Sequence, residues 1–350
     1  MGGALALNLA ERGTRVALSD IDPDRAAGLV ARAGPLAERL HPAGDLAALV
    51  DALATPRVVL LTIPSGDPVA QATARLAELL APGDIIVDAG NSDFRDTMRR
   101  EAELAERGIA FVGLGVSGGA EGARHGPSMM LGGSAAAWDR LRPLLQPAAA
   151  RFRGDPCLAR VGPDGAGHFV KTVHNGIEYA DMQMIAEIYG LLRDGTGWPA
   201  PRIGRQFAQW GEGRLSSFLI EATAAALRSN DPETGHPMVD VIHDSAGQKG
   251  TGRWTVIEAQ RLGQSASTIE AAVGARAWSA DKGLREVAAE RLPRGRPGGA
   301  LPPVERLGRA LLAGRILSHA QGFALLGAAS QAHGWSLDLA RIAEIWRAGC

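Results

Sequence analysis

Two hydrophobic patterns follow one another along the chain. In the first, short β-branched or leucine-rich runs alternate with amphipathic stretches. Thr14–Ser19, Arg57–Ile63, Asp84–Asp88 and Ile109–Val116 read as strands. Ala4–Arg12, Asp22–Ala33, Val69–Leu80 and Asp96–Arg107 carry helical spacing, and Asp22-Pro23 is a cap followed by a first-turn proline. Continuous apolar strands alternating with helices predict a doubly wound parallel sheet. From about residue 165 helical periodicity takes over: Gly167–Leu192, Pro201–Trp210, Ser217–Arg228, Gly252–Leu262 and Pro303–His333. The expectation is a doubly wound, Rossmann-like α/β domain over 1–165 and an all-α domain over 166–350. Leu292–Pro303 reads as a solvated loop. Ile316–Leu337, the longest stretch without a charged side chain, reads as a buried helix pair. No internal repeat is evident.

One expected feature is missing from this pattern. A doubly wound nucleotide domain opens with a strand running into a glycine-rich turn. Here Met1-Gly2 stands directly before the first helix, so the turn is reduced to its last glycine.

Composition narrows the partners. The 350 residues are 46% hydrophobic, and 37 basic residues balance 38 acidic ones to a formal charge of −1. That balance provides no footprint for nucleic acid or an anionic membrane. Cys157 and Cys350 are the two cysteines, too few for a disulfide framework or metal-ligand spacing, and no span or signal segment is read. A cytoplasmic protein without a metal is the expectation. Within the basic set only Lys171, Lys249 and Lys282 are lysines. In a chain that prefers Arg elsewhere, the lysines are either places where a deprotonatable amine has a use or residues that survived drift, so the count is a pointer.

Chemistry concentrates in four segments. In GAGHFVKTVHNGIEYADMQMIAEI (Gly165–Ile188), Lys171, His174, Asn175 and Glu178 share one helical face, while Val170, Val173, Ile177, Met182 and Ile185 supply apolar contact around the rest. A solvated polar face has the same spacing. The apolar remainder and the retained lysine favour an ionisable pair for proton transfer. Asp244–Trp254 (DSAGQKGTGRW) sets Lys249 and Thr251 among small residues, either as a close-approach loop or as an ordinary helix start. Val112–Gly133 carries Ser117-Gly118-Gly119 just past a strand, as a ligand turn or a turn of structural glycines. Asp88–Asp96 (DAGNSDFRD) places Asn91 past another strand.

Together DAGNSDFRDT, GVSGGAEGARHGPSMM, GHFVKTVHNGIEYADMQ, DSAGQKGTGRWT and IWRAGC resemble the 6-phosphogluconate dehydrogenases, the decarboxylating enzymes of the pentose phosphate pathway. The resemblance runs from Gly2 to Cys350, and HNGIEY together with QKGTG sets it apart from the wider β-hydroxyacid dehydrogenases. It implies a homodimer that oxidises 6-phosphogluconate at C3 and releases C1 as carbon dioxide, giving ribulose 5-phosphate, with NADP and no metal. It implies Lys171 as the base and Glu178 as the acid. It assigns Asn91, Ser117, Gly118, Gly119, His174 and Asn175 to the sugar acid, and Tyr179, Lys249, Thr251 and Arg276 to the phosphate. It places the cofactor at Met1, Gly2, Asp20, Ile21, Asp22, Thr62, Ile63, Pro64 and Asn91.

Three departures follow. The first strand with most of the phosphate loop is expected to be absent. So is the tail beyond IWRAGC, which in the family reaches the neighbouring subunit with an Arg and a His for the substrate phosphate. On this reading the sequence is a fragment or a mis-called gene, and as written a poor enzyme. The third departure is Asp20-Ile21-Asp22 where the family has Asn-Arg-Thr. Acidic residues at that strand end favour the ribose of NAD over the phosphate of NADP. Two alternatives stand beside this reading: a related β-hydroxyacid dehydrogenase acting on another acid, and a non-catalytic remnant.

Overall fold

The computed structural model describes residues 1–292 and 301–350, which form two compact units, Met1–Thr172 with Ala329–Cys350, and Val173–Ala328. Most of the loop read over Leu292–Pro303 lies outside the described residues.

The first unit alternates helices and strands. Its order is α1 (Gly2–Glu11), β1 (Val16–Leu18), α2 (Pro23–Arg32), a 3₁₀ turn (Gly34–Arg39), β2 (Leu40–Pro42), α3 (Leu46–Asp51), β3 (Val58–Leu61), α4 (Asp67–Leu79), β4 (Ile85–Asp88), α5 (Phe94–Ala105) and β5 (Ala110–Val116). There follow α6 (Gly119–His125), β6 (Met129–Gly132), α7 (Ala135–Leu145), the two-residue strands β7 (Arg151–Phe152) and β8 (Asp155–Pro156), and β9 (Leu158–Gly162). Helix starts obey local chemistry: Asp22, Asp93 and Ser134 each accept a backbone N–H of the turn they open.

The strands form a five-stranded sheet, β3-β4-β5-β6-β9, a separate parallel pair, β1-β2, and an antiparallel pair, β7-β8. Side-chain alternation splits the larger sheet's faces. Ile86 and Phe111 join Val69, Leu76 and Leu104 on one side, and Ile85, Val87, Val112 and Leu114 join Leu141 and Leu145 on the other. With both faces covered the strands read as unbroken apolar runs. Each large side chain so buried contributes about 1.5–3 kcal/mol. The sheet departs from all-parallel at one place, where β5 and β6 pair antiparallel because α6 turns the chain back.

Helix α8 (Ala166–Thr196) begins in the first unit and continues into the second, which holds α9 (Ala200–Gly211), α10 (Phe218–Arg228), α11 (Met238–Val241), α12 (Thr251–Arg261), α13 (Ser267–Ala280), α14 (Lys282–Arg291) and most of α15 (Val304–His333). Leu192, Ile203, Phe207, Ile220 and Leu311 centre its core. α16 (Leu339–Ile345) belongs to the first unit. The buried helix pair expected over Ile316–Leu337 is not formed. That stretch is the end of the single helix α15 and a turn after it, and Ile316 and Leu317 are 54% and 57% exposed. Lack of charge does not by itself bury a helix face.

Candidate active site

In the first unit the candidate residues gather at the carboxyl ends of the strands, where open α/β sheets bind ligands. Glycines let α8 reach that edge. A Cβ on Gly115 of β5 would lie 2.5 Å from the Lys171 Cβ, and one on Gly167 would lie 2.3 Å from the Gly113 carbonyl oxygen. Helix backbone therefore lies directly on strand backbone. The Lys171 stem runs along β5, 6% exposed, and its Nζ donates to Ser117 Oγ at 2.8 Å. Ser117 stands just past the end of β5. Gly118 and Gly119 follow with φ of +96° and +64°, left-handed values that a Cβ would strain.

Asn91 is half-buried in the turn after β4. That turn is held from two sides. Asp88 accepts from the Gly90 N–H and from Ser92 Oγ. The His168 Nε2–H donates to the Asp88 carbonyl at 3.0 Å, and Thr97 Oγ1 lies 2.7 Å from its Nδ1. His168 is 1% exposed, and this burial pushes its imidazole pKa down, towards the neutral ring. His168, Thr97 and Asp88 went unread in the sequence. The available signal was spacing, since His168 precedes Lys171 by one helical turn.

Of the residues read as cofactor contacts, Thr62 lies against the start of α1. Gly2 opens this helix, and a Cβ there would come 2.3 Å from Thr62 Oγ1, so the N-terminus of α1 lies against the turn after β3. Leu5 is the first residue of α1 whose N–H reaches an acceptor one turn back, Met1 O at 2.9 Å. The N–H groups before it are the donors that a helix N-terminus offers to a diphosphate. Thr62, Ile63 and Pro64 line the same edge, with Ile63 half-buried. Asp20, Ile21 and Asp22 follow β1, all exposed, and Ile21 is 100% exposed. Arg25 lies 3.9 Å from Asp20 and 3.4 Å from Asp22, so its charge is already matched by two carboxylates. A dinucleotide fits these residues: a close glycine, a helix N-terminus and exposed carboxylates at the end of β1. Among the described residues no cluster of His, Cys, Asp and Glu could hold a metal.

In the second unit His174 and Asn175 are joined, with Nδ1–H donating to Asn175 Oδ1 at 3.1 Å, and Asn175 Nδ2 donates to Thr251 Oγ1 at 3.3 Å. Thr251 is the buried first residue of α12. The Arg276 guanidinium stacks 3.9 Å above the Tyr179 ring and donates to the Gly247 carbonyl at 2.7 Å. It therefore brings α13, α8 and the loop that carries Lys249 together. Lys249 is exposed and Glu178 half-buried. Lys282, singled out only as a lysine, is a surface ion-pair partner 3.0 Å from Asp244. With Arg285 it pulls the Asp244 carboxyl down to about 2. Of the three lysines Lys171 is buried, whereas Lys249 and Lys282 lie at the surface.

Comparison with known proteins bears on the whole chain. Residues 1–162 match the NAD binding domain of 6-phosphogluconate dehydrogenase, and residues 167–350 match the 6-phosphogluconate dehydrogenase C-terminal domain. The decarboxylating 6-phosphogluconate dehydrogenase of Chlamydia pneumoniae is 44% identical over 356 residues, covering 100% of this chain and 74% of the relative. A Bacillus subtilis relative, named NAD(+)-dependent and decarboxylating, is 42% identical, covering 100% and 75%. The Plasmodium falciparum 6-phosphogluconate dehydrogenase, solved apo, with NADP+ and with 6-phosphogluconate, superposes with a TM-score of 0.92 at 36% identity, covering 100% of this chain and 76% of that one.

Proposed function

Since the chain belongs to the 6-phosphogluconate dehydrogenase family, we propose that it converts 6-phosphogluconate to ribulose 5-phosphate and carbon dioxide with the residues described above. The observation that carries the reading is Lys171, buried at the carboxyl edge of the sheet and hydrogen-bonded to Ser117. Lys, unlike Arg, can give up its proton, and an amine is what a base needs.

When bound, the nicotinamide cofactor accepts hydride from C3. Lys171 takes the C3 hydroxyl proton as that hydride leaves. It then returns the proton to the C3 carbonyl oxygen while the C1–C2 bond breaks and carbon dioxide departs. Glu178, two helical turns further along α8, protonates the former C2 of the substrate, which is C1 of the resulting enediol. The enediol hydroxyl proton passes back to Lys171, and the product is the ketone. Asn91, Ser117, Gly118, Gly119, His174 and Asn175 hold the sugar acid. Tyr179, Lys249, Thr251 and Arg276 hold its phosphate, for which cationic donors are the matching chemistry.

Met1, Gly2, Thr62, Ile63, Pro64 and Asn91 would hold the cofactor, and Asp20, Ile21 and Asp22 would meet its adenosine ribose. NAD serves at least as well as NADP. Two carboxylates would repel a 2′-phosphate, and Arg25 is engaged by both. The NAD(+)-dependent Bacillus subtilis relative supports this choice. The protein works as a homodimer; Trp278, Leu284 and Val287 of the second unit, 65%, 49% and 44% exposed, are apolar surface for a second copy to cover. The test is to follow 6-phosphogluconate with each cofactor by NMR. Ribulose 5-phosphate is expected. An untouched substrate, with oxidation of 3-hydroxyisobutyrate instead, would overturn the reading.

A further inference from the structure

The residues after α16 lie against the turn that carries Ser117. The meeting point is Ser128, which is 0% exposed. Its N–H donates to the Gly349 carbonyl at 2.9 Å and its Oγ to the Ile345 carbonyl at 2.7 Å. Its own carbonyl accepts the Ser117 N–H at 2.9 Å. Nothing larger than glycine fits the contact. A Cβ on Gly349, whose φ is +71°, would lie 2.6 Å from both Gly126 O and Ser128 N. One on Gly118 would lie 2.8 Å from the Gly349 carbonyl oxygen. Separate contacts tie this part of the chain down. Arg341 donates to the Pro156 and Leu158 carbonyls, and Arg347 stacks 4.5 Å above Phe152.

We propose that Ile345–Gly349 is a positioning element for the active site: through Ser128 it holds the Ser117–Gly119 turn where Ser117 meets Lys171. The proposal rests on the role given to Lys171 and to that turn in the functional reading. Ser128 and Gly349 act through Ser117 and are positioning residues. The physical need is plain. A turn with two successive glycines at positive φ has little stiffness of its own. A misplacement of about 1 Å at a reacting group costs roughly 10²-fold in rate. Backbone held on backbone through Ser128 removes that slack.

The test uses the Ser128→Ala and Gly349→Ala variants of the full chain. Amide exchange is measured over Ser117–Gly122 and over Ile85–Asp88, and KM is measured separately for 6-phosphogluconate and for cofactor. Losing one hydrogen bond, worth about 1 kcal/mol, should raise exchange in the turn roughly fivefold and leave Ile85–Asp88 unchanged. The KM for 6-phosphogluconate should rise about fivefold or more, with cofactor KM unmoved. Gly349→Ala should act in the same direction and further. If it does not fold, Ser128→Ala decides alone. Unchanged exchange in the turn would overturn the proposal. So would equal loosening of both segments, or faster exchange with kcat and both KM values unaltered. An inactive parent protein would sink the functional reading instead, and the exchange comparison would still judge the support.

Discussion

Gly115→Ala probes the contact on which the base depends. The added methyl would stand 2.5 Å from the Lys171 Cβ, 3.1 Å from its Cγ and 3.2 Å from the Gly167 carbonyl oxygen. Carbon atoms rest at about 3.5–4.0 Å, so roughly 1 Å must open between β5 and α8. The start of α8 also rests on β5 and β6, where a Cβ on Gly167 would lie 2.3 Å from the Gly113 carbonyl oxygen and 2.4 Å from the Gly132 N, so a shift of the helix disturbs that contact as well. Overpacking of this kind costs about 1–3 kcal/mol of stability. The same displacement stretches the 2.8 Å bond from Lys171 to Ser117. A misplacement near 1 Å lowers turnover about 100-fold. Urea unfolding gives the first quantity and steady-state kcat the second. A variant as stable and as fast as the parent would show that α8 does not bear on β5 at Lys171.

Other outcomes follow from the same geometry. Lys171→Arg keeps the charge but supplies no base, so kcat should fall by about 10²–10⁴ while binding of 6-phosphogluconate, measured by calorimetry, stays within a few-fold. Ile21→Arg changes a fully exposed side chain. It should raise kcat/KM for NADP about tenfold through one charge-assisted contact, and leave NAD little changed; no gain would displace the adenosine ribose from this turn. Glu101 is pushed up to about 7, first by burial and then by Asp164, against the pull of Arg160. Its folded pKa exceeds the unfolded one, so wild-type stability falls as pH rises between about 4.5 and 7. Glu101→Gln should therefore be the more stable protein at pH 8, by about 1–2 kcal/mol after allowing for solvent screening, and the gap should close below pH 4.5. An equal gap at both pH values would contradict this.

Much of the fold was legible because period and capping are local. Ile85, Ile86 and Val87 form one apolar run whose members face opposite layers, and Asp22 and Ser217 announce helices that begin at the next residue. The stripe on α8 was legible for the same reason. What could not be read depends on residues distant in sequence. The antiparallel β6 follows from the turn of α6, and its strand is only four residues long. Ser128 means little until the Ile345 carbonyl, 217 residues on, closes upon it. His168 was hidden by its setting, since a histidine on an apolar helix has no distinct pattern until Asp88 and Thr97 are seen beside it. Ile316–Leu337 misled for the converse reason: uncharged polar and small residues tolerate solvent as well as burial.

The central claim is that Lys171 makes one buried edge both oxidise and decarboxylate. Substrate carrying ¹⁴C at C1 tests it most directly, with reduced cofactor and released label followed together in the parent protein and in Lys171→Arg. Equal amounts of both products from the parent, and a loss of both together in the variant, are the predicted result. Reduced cofactor without labelled carbon dioxide, or a variant that turns over like its parent, would contradict it.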